Sequence, residues 1–485
     1  MVAPDHHRSP LSSFVGGEWS GGNGSSVDVN PARPSEVVAE VSLAGRSEAR
    51  AALEAAAAAA PEWSRMPAPS RGAILHRAAD LLDARAETIG LDLAREEGKT
   101  LAEAIGETRR AAAIIRYFAG QTLDPDGETY PSSSPKTFLF ARRIPLGVVT
   151  VITPWNFPIA IPAWKIAPAL AFGNTVCWKP AEIVPLTAVN LVATLVEAGL
   201  PSGVLNLVLG RGADVGDTLV AAPEVAALSF TGSNVVGRAL QLRAVETGKK
   251  AQLELGGKNP AVVLRDADLT LAVDQVARGA FLSAGQKCTA TSRVIVEDAI
   301  FDEFASRLAE TARTWKLGDP LEPDTRVGPL ASESQLETVC AYLDEGRREG
   351  ATFLAGGERA ASLGEGYFVE PSVVADLPGG STLLREEIFG PVAALLRVTD
   401  FEGAIAAAND TTYGLTASVF TRDLKQALRF SAEVEAGVVK VNQETAGLEL
   451  HVPFGGTKDS SSGSREQGKV ARDFFTEWKT VYIDS

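Results

Sequence analysis

The chain has 485 residues, 45% of them apolar and 22% charged, with 46 Lys and Arg against 61 Asp and Glu. At roughly 150 residues per domain, this length predicts two or three domains with sizeable cores, and the composition excludes a disordered or fibrous chain. A formal net charge of -15 speaks against a nucleic-acid-binding face, which needs a basic footprint. In chain order, residues 1–8 show no apolar run behind a basic start, so no secretory signal is expected there. Gly-Gly pairs and runs such as Ser26-Val27-Asp28-Val29 predict hairpins through about Ser42. From Arg46 to about Gln121 the pattern is helical, beginning with an alanine run that Pro61 is expected to end. Ile74, Leu75, Ala78, Leu81 and Leu82 recur at three- and four-residue spacing, giving one apolar helix face. The most apolar stretch, 146–178, is broken by Pro154, Pro158, Pro162 and Pro168 and carries Asn156 and Lys165. It therefore reads as buried strand, loop and helix, not as a membrane span.

From Pro145 onward, strands alternate with helices. Buried strands are predicted at 147–152, 175–178, 204–208, 226–230 and 261–264, with helices at 186–198 and 235–242 between them. Such alternation implies a mostly parallel sheet covered on both faces. A second alternating set spans 272–441, with helices near 301–314 and 334–349. The glycine- and serine-rich stretch 455–468 reads as an irregular loop facing a site, and 476–483 as a final strand. No repeat of fixed period is found.

Three cysteines cannot build a disulfide framework, and an odd number suits a reducing compartment, so a cytoplasmic location is expected. His6, His7, His76 and His451 have no metal-ligand spacing and no Cys-x-x-Cys exists, so no metal site is expected. Cys177 lies in an apolar strand and Cys340 on a helix, where cysteine packs as a small hydrophobe. In Gly285-Gln286-Lys287-Cys288-Thr289-Ala290 the cysteine instead sits in a short polar segment. There Lys287 and backbone dipoles could stabilise a nucleophilic thiolate. Glu254, between Leu253 and Leu255 at a strand end, would have a raised pKa if buried, which suits a general base; a solvated strand-edge glutamate is the plainer alternative. Asn156, in Pro154-Trp155-Asn156-Phe157-Pro158, sits in a turn stiffened by two prolines, where its amide could serve an oxyanion or ordinary turn chemistry. Phe230-Thr231-Gly232-Ser233 ends a strand and opens a helix, which presents N–H groups and a hydroxyl to a pyrophosphate, or simply caps the helix. Gly210-Arg211-Gly212-Ala213-Asp214-Val215-Gly216 approaches a dinucleotide fingerprint, but its third glycine is one residue late, and a tight turn with a helix cap explains it equally well.

Taken in order, these segments resemble the aldehyde dehydrogenase superfamily. Lys179-Pro180-Ala181-Glu182, Glu386-Glu387-Ile388-Phe389-Gly390-Pro391 and Pro453-Phe454-Gly455-Gly456 belong to the same pattern, and the likeness covers nearly the whole chain. The resemblance implies an α/β fold with a Rossmann-like cofactor domain (1–122 and 144–257), a catalytic domain (258–471) and a small β oligomerisation arm (123–143 and 472–485). It implies Cys288 as the nucleophile on the aldehyde carbonyl, with Asn156 and the Cys288 backbone N–H holding the oxyanion. Glu254 would activate water to hydrolyse the thioester, with Lys165 and Glu466 assisting. It implies NAD as cofactor, with NADP possible, held by Thr153, Pro154, Trp155, Lys179, Glu182, Gly212, Gly216, Phe230, Gly232, Ser233, Gly256, Glu387 and Phe389. Glu182 favours NAD physically, because a carboxylate accepts from ribose hydroxyls and repels a 2′-phosphate. The retained Glu254 favours a free acid as product over an acyl-coenzyme A.

The C-terminal loop from His451 to Gly468 is one residue longer than the commonest family pattern. With Ile159-Ala160-Ile161-Pro162-Ala163-Trp164-Lys165 and Cys288-Thr289-Ala290-Thr291-Ser292-Arg293, it is similar to the α-ketoglutaric semialdehyde (2,5-dioxopentanoate) dehydrogenase group. The resemblance places Phe157, Ile161, Trp164, Lys287 and Phe454 along the substrate funnel. Lys287 there could hold the distal carboxylate of an aldehyde acid, or only face solvent and act on Cys288. The alternatives are a broad-specificity or succinate-semialdehyde-type dehydrogenase and, more distantly, a cysteine hydrolase using His451. Expected partners are a small aldehyde and further copies of the chain as a homodimer or homotetramer, with no nucleic acid and no membrane.

Overall fold

The structure is a computed structural model in which residues 10–484 are described. The N-terminal stretch read for a secretory signal, with His6 and His7, lies outside them. Two large sheets organise the chain. The first has eight strands in the order Glu18–Ser20, Ser13–Val15, Leu205–Leu207, Thr175–Lys179, Val148–Ile152, Val225–Thr231, Lys250–Glu254 and Ser461–Ser462. Its five central strands run parallel, and antiparallel pairs close both edges. Every residue of Val148–Ile152 and Thr175–Lys179 is buried, as expected of apolar runs covered on both faces.

The second sheet takes seven strands from 258 onward, ordered Thr352–Ala355, Ser372–Ala375, Val392–Val398, Thr291–Glu297, Asn259–Val263, Thr416–Phe420 and Val438–Val441. A third, three-stranded antiparallel sheet pairs Gly127–Tyr130 with Thr137–Pro145, and that strand with Thr476–Asp484. Hairpins form at both predicted N-terminal places. Helix Ala160–Ala171 is buried along its whole length, which accounts for the apolar stretch. Among the described residues no helix is long and apolar enough to cross a membrane.

One expectation is corrected. The helix Arg46–Arg65 runs through Pro61 instead of ending there. Proline removes a hydrogen bond and crowds the preceding turn, but Trp63, 1% exposed and donating from Nε1 to the Leu170 carbonyl at 3.2 Å, anchors the last turn against the core. Tertiary burial outweighs the local breaker.

Candidate active site

Four parallel strands, Val148–Ile152, Thr175–Lys179, Val225–Thr231 and Lys250–Glu254, end side by side, and the segments leaving them wall a cleft of about 570 Å³. Open α/β sheets take their ligands at the carboxyl ends of such strands. Thr153, Pro154, Trp155 and Asn156 follow the first strand, Glu182 joins Lys179 after the second, Gly232 and Ser233 join Phe230 after the third, and Gly256 follows the fourth. Glu387 and Phe389 close the wall from the other sheet's side. Most of the residues expected to meet a cofactor therefore share one surface. Gly212 and Gly216 do not line it. Gly212 begins the helix Gly212–Ala221 and only donates its N–H to Glu182 Oε1 at 2.9 Å, while Gly216 lies buried within that helix. A Cβ on Gly210 would stand 2.7 Å from the Ala44 carbonyl oxygen, so this glycine serves a close chain crossing.

Ser233 does cap its helix, accepting from the Val236 N–H at 3.5 Å, and it also faces the cleft. At Gly256 an added Cβ would lie 2.2 Å from Glu387 Oε2, so only glycine lets this carboxylate rest against the backbone. Glu387 Oε1 accepts from the Gly257 N–H at 2.8 Å. Burial pushes Glu387 up to about 7, against the lowering pull of that N–H and of Lys258. Phe389 holds a left-handed backbone, φ 58°, and sets its ring edge-on to Trp155 at 5.4 Å. Lys179 Nζ donates to the Pro180 carbonyl at 2.9 Å, and burial lowers its pKa.

A second cavity, about 270 Å³, is lined by Phe157, Ile161, Trp164, Lys287 and Phe454. Cys288 lines both cavities and so sits where they meet. Its segment follows three successive left-handed residues, Ser283, Ala284 and Gly285, and its carbonyl accepts from Asn259 Nδ2 at 2.7 Å. The surroundings work against a ready thiolate. Burial first, then the charges of Glu387 and Glu254, push the Cys288 thiol up to about 12, and only the N–H groups of Thr289 and of Cys288 itself pull it down. Burial lowers the Lys287 pKa as well.

Glu254 is 3% exposed, not a solvated strand-edge residue, and lines neither cavity. Its Oε2 accepts from Ser461 Oγ at 2.6 Å, and its Oε1 has no hydrogen-bond partner among the described residues. Burial, then the neighbouring Glu466, hold its pKa well above the usual carboxylate range. Glu466 pairs with Lys165 and accepts from Trp164 Nε1 at 2.8 Å, while Lys165 also donates to Ser229 Oγ at 3.0 Å. Neither member of this pair lines a cavity, although Trp164, bonded to Glu466, lines the second. Asn156, buried, donates from Nδ2 to the Gln286 carbonyl at 3.0 Å, which joins its turn to the Cys288 segment.

Sequence reasoning missed what holds that turn. Lys99 donates from Nζ to the Asn156 carbonyl at 2.7 Å, pairs with Glu107 and lies 4.4 Å from the Phe157 ring centre. Glu107 Oε1 accepts from the Ile159 and Ala160 N–H groups at 3.1 and 3.0 Å. The available signal was Glu107 among Ala104, Thr108 and Ala111 on the buried face of the helix Leu101–Gln121. Arg110, Glu103 and Glu444, also on the second cavity, were not singled out either. His451 lines neither cavity and its side chain is 59% exposed, so among the described residues no histidine stands beside Cys288 as a base. Cys177 is fully buried, and Cys340 packs beside the core of the second sheet.

Comparison with known proteins agrees with this geometry. Residues 19–481 match the aldehyde dehydrogenase family. An alpha-ketoglutaric semialdehyde dehydrogenase of Bacillus subtilis (strain 168) is 46% identical over 475 residues, covering 97% of each chain. A 2,5-dioxopentanoate dehydrogenase of Saccharolobus solfataricus is 42% identical over 469 residues, covering 96% of this chain and 98% of the relative. The crystal structure of betaine aldehyde dehydrogenase from Staphylococcus aureus in complex with NAD+ superposes with a TM-score of 0.95 at 35% identity, covering 98% of this chain and 95% of that one.

Proposed function

Because the chain belongs to the aldehyde dehydrogenase family, we propose that the aldehyde it oxidises to a carboxylic acid is a semialdehyde acid of the α-ketoglutaric semialdehyde type, with NAD+ as the preferred oxidant. One observation carries the substrate reading: a cavity with apolar and aromatic walls opens on Cys288 and holds two cations, Lys287 and Arg110, that have no ion-pair partner among the described residues. Glu103, Glu107 and Glu444 also line that wall, but the first two are engaged by Ser283, Lys99 and backbone N–H groups, so the unpaired Arg110 Nη2 is left to attract a distal carboxylate.

The larger cleft fits a dinucleotide. The donor set of Lys179, Ser233 and the start of the helix Asn234–Glu246 suits ribose and pyrophosphate, and Gly256 leaves room for the Glu387 carboxylate on the wall. Glu182 and Glu387 would accept from ribose hydroxyls. When bound, the nicotinamide supplies a positive charge beside the thiol and the acceptor for the aldehyde hydrogen.

The chain's own residues do the rest. The Cys288 thiol must pass its proton to solvent water as sulfur attacks the carbonyl carbon. Asn156 Nδ2 and the Cys288 N–H hold the developing oxyanion. Once the thioester has formed, Glu254 takes a proton from water, hydroxide adds to the acyl carbon, and the sulfur leaves with the acid released. Lys165 and Glu466 act through Glu254, as positioning residues that set its ionisation. The domain division at 257 and the arm formed by 123–143 and 472–485 are part of the same reading, as are a cytoplasmic location and a homo-oligomer.

The test is turnover of the purified chain with α-ketoglutaric semialdehyde, succinate semialdehyde, pentanal and betaine aldehyde, each with NAD+ and NADP+. The expected kcat/KM for α-ketoglutaric semialdehyde exceeds that for pentanal by at least about tenfold, since a site built to bind a charged group discriminates strongly against its absence. Equal or better use of the neutral aldehyde would overturn the substrate reading.

A further inference from the structure

The second cavity contains a cation whose hydrogen bonding is incomplete. Arg110 follows Glu103 and Glu107 on the helix Leu101–Gln121 at spacings that place all three on one face, and all three line the cavity. The two acids are occupied. Glu107 is taken by Lys99 and by two backbone N–H groups. Glu103 closes the capping box with Thr100 and accepts from Ser283 Oγ at 2.8 Å. Arg110 Nη2, by contrast, is buried and has no partner among the described residues. A buried donor left unpaired is costly, and a carboxylate entering the cavity would satisfy it with a charge-assisted bond that the planar guanidinium can make bidentate.

Lys287 is placed differently. It immediately precedes the nucleophile, and the charges of Glu103 and Glu444 act on it as those of Glu449 and Glu107 act on Arg110; what separates the two is the buried Arg110 Nη2, which lacks a partner. Glu444 has Arg278 at 4.0 Å from Oε1, and its buried Oε2 has no hydrogen-bond partner among the described residues. An anchor for the far end of an aldehyde acid must also lie away from the sulfur, because the aldehyde carbon occupies the near end. Lys287 is bonded directly to the nucleophile, whereas Arg110 comes from a separate element, the helix Leu101–Gln121.

We propose that Arg110, not Lys287, is the specificity-determining residue that binds the distal carboxylate of the substrate, an inference that rests on the semialdehyde-acid reading above. The experiment compares wild type, Arg110→Met, Arg110→Lys and Lys287→Ala. It measures kcat and KM for α-ketoglutaric semialdehyde and for pentanal, and competitive inhibition by glutarate, a dicarboxylate that cannot react. In Arg110→Met, kcat/KM for the aldehyde acid should fall about 100-fold, mainly through KM, with pentanal much less affected and glutarate inhibition weakened about tenfold or more. Arg110→Lys should recover part of the loss, which a merely structural role would not produce. Equal losses on both aldehydes, or a carboxylate-specific loss in Lys287→Ala but not in Arg110→Met, would overturn the assignment. If wild type shows no preference for the acid, the substrate reading falls by itself. The glutarate measurement then decides on Arg110: weaker inhibition in Arg110→Met supports a carboxylate site, and unchanged inhibition overturns it.

Discussion

Cys288 is half-buried and Glu254 buried, and desolvation makes both harder to ionise. A thiol pushed up to about 12 is protonated at neutral pH, and the charge of Glu254 is one cause. Glu254 itself is raised by burial and by Glu466 and lowered by Ser461, Lys165 and Arg465. A carboxyl whose pKa is raised keeps its proton at pH values where an ordinary glutamate has lost it. It acts as a base only as pH climbs through that higher value, so deacylation should speed up with pH and level off above it. In Glu254→Gln the acid-producing step should slow by about 10²–10⁴-fold, the range general bases contribute, and its pH dependence should flatten. Thioester formation should continue, giving a burst of one NADH per site in rapid-mixing absorbance, followed by almost no turnover. A Glu254→Gln enzyme with wild-type steady-state turnover and an unchanged pH profile would remove Glu254 from the mechanism.

At the level of elements, the site depends on three turns locked to one another. The Cys288 segment is tied to the Asn156 turn through Gln286, and that turn to the helix Leu101–Gln121 through Lys99 and Glu107. Gly285, at φ 68°, lets the segment pass against the 386–391 turn, since a Cβ there would sit 2.1 Å from the Gly390 carbonyl oxygen. Gly285→Ala should therefore cost at least about 1–3 kcal/mol of stability, the usual strain of a non-glycine residue in this region, plus the clash. It should also lower kcat more than it changes NAD+ affinity. Denaturant unfolding and steady-state kinetics check both, and a variant of wild-type stability would show that the turn yields. Such cross-links explain what the sequence made legible. The strands at 147–152 and 226–230 were readable because local apolar runs determine them, and they form as Val148–Ile152 and Val225–Thr231. Cys288, Asn156 and Glu254 were readable because chemistry restricts their residue types. Lys99 and Arg110 were not, because a charge on a helix is informative only once the fold shows that it faces a cavity. Pro61 misled for the same reason: its helix is held by Trp63 packing on a distant segment.

Across the whole molecule, the cleft lies where the first sheet's strand ends meet the second sheet's 386–391 turn. The strand Ser461–Ser462 crosses back to pair with Lys250–Glu254, which brings Ser461 onto the Glu254 carboxylate. The three-stranded sheet has a different character. Its outer strand, Thr476–Asp484, pairs along its full length with Thr137–Pro145 on one side and has no strand on the other. Along it Trp478, Tyr482 and Ile483 are 47%, 70% and 52% exposed, and Phe138 next to it 56%. An open strand edge carrying large apolar side chains invites pairing with another chain unless it is covered. A second copy of this chain is the occupant that the arm reading supplies, since it would meet the edge in every subunit and close by symmetry. Light scattering after size-exclusion chromatography should then give two or four times the 50.9 kDa of one chain. The double variant Tyr482→Asp, Ile483→Asp, which places like charges on that edge, should shift the mass toward smaller species while circular dichroism stays that of the folded chain. A full-length protein that runs as a folded monomer at micromolar concentration would refute the arm as an interface and leave the exposed edge to another partner.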